Sequence, residues 1–200
     1  MKRALLLLAV VLLLAGCSSP DRARYDPNKT LTVASPDLVA LKKHSDIPNC
    51  PRVSGAAVDQ GMPPITLSCL GGGRPVDLAA LRGPMIVNFW ASWCGACRDE
   101  MPALAAYAKT HPEVRIVGID FLDPHPDAAL KLATSSRVAY PLVVDPKGVL
   151  DEASPLPHIS AMPMTVFLDA KGTIAHVEAK SYSSENDVAA AAQKYLGAAG

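Results

Sequence analysis

The chain alternates short apolar runs with amphipathic stretches. PMIVNFW (residues 84–90) and VRIVGID (114–120) have the apolar character of strands buried on both faces. PPITLSCL (63–70) predicts a strand, GGG (71–73) a turn, and VDLAALRG (76–83) a short helical turn closed by Gly83. DEMPALAAYAKTHP (99–112) predicts a helix rich in Ala, Leu and Met that stops near Pro112. PDAALKLATSS (126–136) predicts another helix, with Pro126 near its start, and YPLVVD (140–145) an extended segment. MTVFLD (164–169) and TIAHVEA (173–179) predict two strands joined by a hairpin turn at AKG (170–172). SENDVAAAAQKYLG (184–197) predicts a closing helix, capped by Ser183 or Ser184 and ended by Gly197. Strands alternating with helices and closing on a hairpin imply an α/β fold with a central mixed sheet.

The N-terminus has a different pattern. Lys2 and Arg3 precede an apolar run over residues 4–15, followed by Gly16 and Cys17. This is the layout of a secretory signal, since crossing a bilayer takes roughly 20 apolar residues. Residues 18–49 are rich in Pro, Asp, Lys, Arg and Ser and read as a tether. One short helix is expected within it, with Ser35 as cap, Pro36 at the first position and DLVALKK behind. The boundaries expected are therefore a signal over 1–16, a tether over 17–49 and a folded domain over 50–200.

Charge is balanced, with 19 Lys and Arg against 19 Asp and Glu. Loss of Lys2 and Arg3 with the signal would leave 17 against 19, a formal charge of −2. No basic block survives, which argues against nucleic acid as a partner. An exported chain meets a compartment in which disulfides persist.

That compartment bears on Cys94-Gly95-Ala96-Cys97, placed where the strand over 84–90 gives way to a helix. At a helix N-terminus, unpaired N–H groups and the helix dipole favour negative charge. C-x-x-C thiols so placed have pKa values of about 3.5–7.5, against about 8.5 for a free cysteine. Cys94, at the helix tip, is expected to attack a disulfide, and Cys97, a turn further in, to resolve the mixed disulfide. A zinc site would need two further ligands at compatible spacing. Cys50 and Cys69 make no second C-x-x-C, and His44, His111, His125, His158 and His176 are scattered, so neither metal nor cofactor is expected.

Trp93-Cys94-Gly95-Ala96-Cys97 after VNFWAS resembles the active-site segment of thioredoxin-like proteins, and more narrowly the membrane-anchored TlpA/ResA-type thiol–disulfide oxidoreductases of bacterial envelopes. Pro102 resembles the proline that bends the active-site helix in that family. AMPMTVFLD resembles its G-x-P-x-T segment, which implies that Pro163 is a cis-proline facing the cysteines and positioning substrate. Leu14-Ala15-Gly16-Cys17 resembles the lipobox of bacterial lipoproteins, implying lipid on Cys17. The resemblance runs from about Pro63 to the C-terminus. It implies a thioredoxin-like fold with helices flanking the sheet, an N-terminal extension and an inserted αβ element around FLDPHPDAALKLATSS. It further implies protein thiols or disulfides as substrates, a membrane redox partner, and a place on the outer face of the cytoplasmic membrane. The family includes both reductants serving cytochrome c maturation and oxidants of secreted proteins.

There are departures from the family pattern. Ala96 replaces the usual proline between the cysteines, Ala161 the usual glycine, and Asn88 the buried acid of thioredoxins proper. Glu100, three residues after Cys97, resembles the active-site acid of the TlpA/ResA group. It is expected to relay a proton to Cys97 if burial raises its pKa, while Asp99 is expected to be solvated. Trp93 is expected at the rim where substrate packs.

Cys50 and Cys69 remain once Cys17, Cys94 and Cys97 are assigned. A structural disulfide between them is expected, closing an interval of 18 residues (51–68) and worth about 3 kcal/mol in the chain-entropy picture; the alternative is a second redox pair relaying electrons. Met162 and Met164 flank Pro163, so an alternative function is a copper(I) carrier with Cys94, Cys97 and nearby methionine as soft ligands. A thiol peroxidase is disfavoured, because Ala91 stands where that chemistry wants a hydroxyl.

Overall fold

The computed structural model describes residues 31–197, so the expected signal over 1–16, Cys17 and the start of the tether lie outside the described residues. Seven strands form one mixed sheet: β1 (Thr66–Cys69), β2 (Val76–Asp77), β3 (Met85–Trp90), β4 (Arg115–Phe121), β5 (Leu142–Asp145), β6 (Met164–Leu168) and β7 (Ile174–Glu178). Their order across the sheet is β2-β1-β5-β4-β3-β6-β7. β3, β4 and β5 run parallel, and the other pairs are antiparallel. β3, every residue of which is buried, lies between β4 and β6, as its near-continuous apolar run requires.

Four α-helices among the described residues flank the sheet: α1 (Pro36–Lys43), α2 (Gly95–Thr110), α3 (Pro126–Ser135) and α4 (Glu185–Leu196). Ser184, not Ser183, caps α4, accepting from the Asp187 N–H at 3.2 Å, and Gly197 ends the helix in the left-handed region at φ 63°. Ile86 and Trp90 of β3 share one core with Leu104 of α2, Leu130 of α3, Leu38 of α1 and Val188 of α4. Met85, Val87 and Phe89 point the other way, as strand alternation dictates. Non-helical segments supply Met62, Leu81, Leu150, Leu156 and Ile159 to that second core.

The structure moves two expected boundaries. Residues 31–49 are not simply a tether: Leu38 and Ile47 are buried in the helix-side core, and α1 packs on α3. A composition rich in charge and proline concealed this, because two apolar anchors suffice to dock a short helix. The stretch expected as one helical turn at 76–83 splits into β2 and a single 3-10 turn, Leu78–Ala80, capped by Asp77. Edge pairing of Val76 with Leu67 outweighs local helical preference there. No helix among the described residues is long and apolar enough to cross a membrane.

Candidate active site

β3 delivers the chain to the C-terminal edge of the parallel strands, where Ala91 to Trp93 turn into α2. Cys94 is the N-cap of α2, and its Sγ accepts from the Cys97 N–H at 3.1 Å. This is one of the orphan donors at the start of any helix, aimed at sulfur. Cys94 and Cys97 are joined as a disulfide. Cys94 is 7% exposed and Cys97 fully buried, so an incoming group meets Cys94 first. Pro102 lies within α2, and the Met162–Pro163 peptide bond is cis.

Glu100 is buried, one helical turn from Cys97 on the same side of α2. Its Oε2 accepts from Asn88 Nδ2 and its Oε1 from the Tyr182 N–H, each at 3.3 Å. Burial pushes its pKa up to about 8, and the charge of Glu178 adds to the rise, while the bonds from Asn88 and Tyr182 pull down. At neutral pH the carboxyl is mostly protonated and near its own midpoint.

A second group of acids supports the loop from the other side. Asp123 is buried, and its Oδ2 accepts the Ser92 N–H at 2.6 Å while its Oδ1 accepts the His125 N–H at 2.9 Å. Asp120, at the end of β4 opposite Trp90, is also buried. Burial, then the neighbouring Asp123, raises its carboxyl well above the usual carboxylate range. The sequence reading missed both acids; the signal was a strand ending in FLD, with acids on either side of Phe121 and Leu122.

Trp93 is 55% exposed and its indole N–H donates to the Leu122 carbonyl at 3.1 Å. Leu122 is itself 43% exposed, held outward at φ 51°, so the two make an apolar rim beside Cys94. Of the two methionines weighed as copper(I) ligands, Met162 packs against the core that holds Cys94 and Cys97 as well as the opposite one, whereas Met164 packs with Val166 and Leu168 on the opposite face. Cys50 and Cys69 are bonded to each other, three strands away from β3.

Residues 58–177 match the AhpC/TSA family. A thiol:disulfide interchange protein, DsbE, of Pseudomonas fluorescens biotype C is 35% identical over 121 residues, covering 58% of this chain and 64% of that protein. A thioredoxin-like protein of Bacillus subtilis, YneN, is 28% identical over 123 residues, 60% of this chain and 70% of the relative. Other relatives, such as the DsbE homologue of Paracoccus denitrificans, are matched over only about half their length. Among solved structures, a secreted Mycobacterium tuberculosis disulfide oxidoreductase homologous to E. coli DsbE is 27% identical at a TM-score of 0.53, covering 64% of this chain and 96% of that one. A secreted thiol-disulfide isomerase from Corynebacterium glutamicum shares the fold at a TM-score of 0.60 and 22% identity, covering 75% of this chain and 98% of that one.

Proposed function

We propose, from the premise that this chain belongs to the AhpC/TSA family and is a thiol–disulfide oxidoreductase of thioredoxin-like fold, that it exchanges disulfides with protein thiols outside the cytoplasm through Cys94 and Cys97. The observation that carries this reading is the Cys94–Cys97 disulfide at the tip of α2, with one backbone N–H already on the Cys94 sulfur.

In the oxidised protein a substrate thiolate attacks Cys94 Sγ, and the electron pair of the broken bond leaves on Cys97. A second substrate sulfur then releases Cys94 and leaves the substrate as a disulfide. Run in reverse, the Cys94 thiolate attacks a substrate disulfide and Cys97 resolves it. The N–H at Cys94 and the dipole of α2 stabilise the thiolate in both directions. Glu100, poised near neutrality, takes up or returns the proton that Cys97 exchanges in each half of the cycle. Pro163 positions the substrate backbone against the pair, and the rim of Trp93 and Leu122 offers an apolar seat for the flanking substrate residues.

The location rests on the N-terminal pattern and on relatives described as secreted. Residues 1–16 act as a lipoprotein signal, lipid on Cys17 anchors the chain to the outer face of the cytoplasmic membrane, and the residues from 17 to α1 form the tether. A membrane redox partner recycles the pair. Two acyl chains hold such an anchor stably where one is marginal.

The test is turnover of a reduced, unfolded ribonuclease and of insulin disulfides by purified protein. Wild type should accelerate at least one, and Cys94→Ser neither; wild type inert on both would overturn the reading. Metabolic labelling with palmitate, lost in Cys17→Ser, tests the anchor.

A further inference from the structure

The bond between Cys50 and Cys69 belongs to a different part of the molecule. Cys69 ends β1 and pairs with Val143 of β5, and β5 and β4 stand between β1 and β3. Three strand spacings amount to roughly 14 Å, so the two disulfides do not exchange directly in this arrangement. A bond serving only as a staple needs no more than packing around it. This one has a lysine against its sulfur.

Lys42, in the last turn of α1, is 5% exposed, whereas its neighbour Lys43 is exposed. Its Nζ lies 3.1 Å from Cys69 Sγ and donates to the Gly72 carbonyl at 3.0 Å. Among the described residues no carboxylate forms a salt bridge with it. Its stem passes over Gly71, where a Cβ would come within 2.9 Å of Lys42 Cβ, so a larger residue there would displace the lysine. Burial alone holds Lys42 below the ordinary lysine range. A buried cation without an anion is costly, and a thiolate on Cys69 would supply the missing charge.

The residues that flank the bond border a cavity. Lined in part by Val39, Lys42, Lys43, Asn49, Gly72 and Gly73, it holds about 420 Å³, within the usual range of roughly 300–1,000 Å³ for small-molecule pockets. Gly73, at φ 119°, stands where a Cβ would be 3.4 Å from Cys69 Sγ, so its lack of a side chain leaves room beside the leaving sulfur, and Asn49 on the cavity wall is joined directly to Cys50, the sulfur to be attacked. Cys50 and Cys69 are themselves buried, which excludes a folded protein chain and admits a small molecule. Two lysines on the cavity wall favour an anionic one.

We propose that Cys50–Cys69 is a second exchangeable disulfide, opened by a small anionic thiol that enters this cavity, with Lys42 stabilising Cys69 as the leaving thiolate. The incoming thiolate attacks Cys50 Sγ. A bond forms between the two as the Cys50–Cys69 bond breaks, and the electron pair passes to Cys69, paired with the Lys42 ammonium. A second thiolate attacks the outer sulfur of the mixed disulfide and releases the small-molecule disulfide. Cys50 departs as a thiolate and takes a proton from water. Two thiols are oxidised to one disulfide, and the protein disulfide is reduced to a dithiol. A stabilised leaving thiolate speeds the first step and raises the potential of the pair. The staple and the exchangeable bond are the same bond: closing the interval between Cys50 and β1 does not require inertness.

The experiment uses the full chain with Cys94→Ser and Cys97→Ser together, so that the first pair contributes nothing and its own function is untouched by the outcome. The protein is equilibrated in glutathione buffers of graded ratio, quenched, alkylated and mapped by peptide mass, with circular dichroism confirming the native fold. Cys50 and Cys69 should become labelled as reduced glutathione increases, and the transient glutathione adduct should sit on Cys50. Lys42→Met should disfavour reduction at least tenfold at equilibrium, about 30 mV for a two-electron couple, and Lys42→Arg should retain most of the wild-type behaviour. No label before denaturation at any ratio would overturn the proposal, as would Lys42→Met behaving like Lys42. Should Lys42→Met not fold, the adduct position in the lysine-bearing chain decides alone: on Cys50 it supports the proposal, on Cys69 it overturns it.

Discussion

Asn88 Nδ2 donates to Glu100 Oε2 and to Thr165 Oγ1, each at 3.3 Å, while Asn88 Oδ1, also buried, has no partner. The amide thus offers Glu100 a donor, which suits the ionised acid, and its second donor goes to Thr165. Turning it by 180° would present Oδ1 to the protonated form instead. One side chain can serve both states of the acid, which suits a group that must gain and lose a proton in each cycle.

Glu100→Gln tests that arrangement. The folded-state value near 8 lies above the ordinary glutamate value of 4.5, so the folded protein binds more protons than the unfolded chain between those limits. Its contribution to stability is therefore full below about pH 4.5 and is lost as pH rises through 8. Denaturant melts should show wild type losing stability over that window, on the order of a few kcal/mol. The glutamine variant, with Asn88 turned to accept from it, should hold its stability and gain on wild type at pH 8 and above. The pH profile of thiol alkylation at Cys97 should lose its inflection near 8.

Cys97→Ser should trap a mixed disulfide through Cys94 when offered a disulfide substrate, and Cys94→Ser should trap little. The difference follows from exposure, since Cys97 is fully buried and Cys94 is at the helix tip. Non-reducing gels after an acid quench read both; equal adducts would contradict the assignment of attacker and resolver.

Trp93→Ala should lower kcat/KM for a protein substrate by roughly fivefold to thirtyfold, the effect of losing about 1–2 kcal/mol at an interface anchor. Rates with a small disulfide should stay unchanged, because the exposed indole is tied to the Leu122 carbonyl and hydrogen-bonds to neither sulfur. Equal losses on both substrates would place Trp93 in the chemistry or the fold instead.

Asp123→Ala removes the acceptor of two backbone donors, Ser92 N–H and His125 N–H. Each such bond is worth about 0.5–1.5 kcal/mol, so losing both should lower the melting temperature by roughly 2–12 °C for a chain of this size. Asp123→Asn, which keeps one acceptor, should lose less. Calorimetry on the three proteins gives the ranking.

Much of this molecule was decided by short-range chemistry and could be read in order along the chain. A cysteine pair three residues apart, where an apolar strand gives way to a helix, has both sulfurs brought together at the helix start, and Cys94 and Cys97 are bonded there. The hairpin around AKG follows from local geometry, with Asp169 Oδ1 accepting from the Lys171 and Thr173 N–H groups and Gly172 at φ 92°. The tertiary structure alone decided which distant residues meet. No periodicity says that Lys42 turns inward to Cys69 while Lys43 meets water, or that Asp123 reaches back 31 residues to Ser92. The strand order β2-β1-β5-β4-β3-β6-β7 sets those meetings. Burial then sets the charge of what meets, because a carboxyl or an ammonium responds to the solvent it has lost, and that depends on packing from elsewhere in the chain.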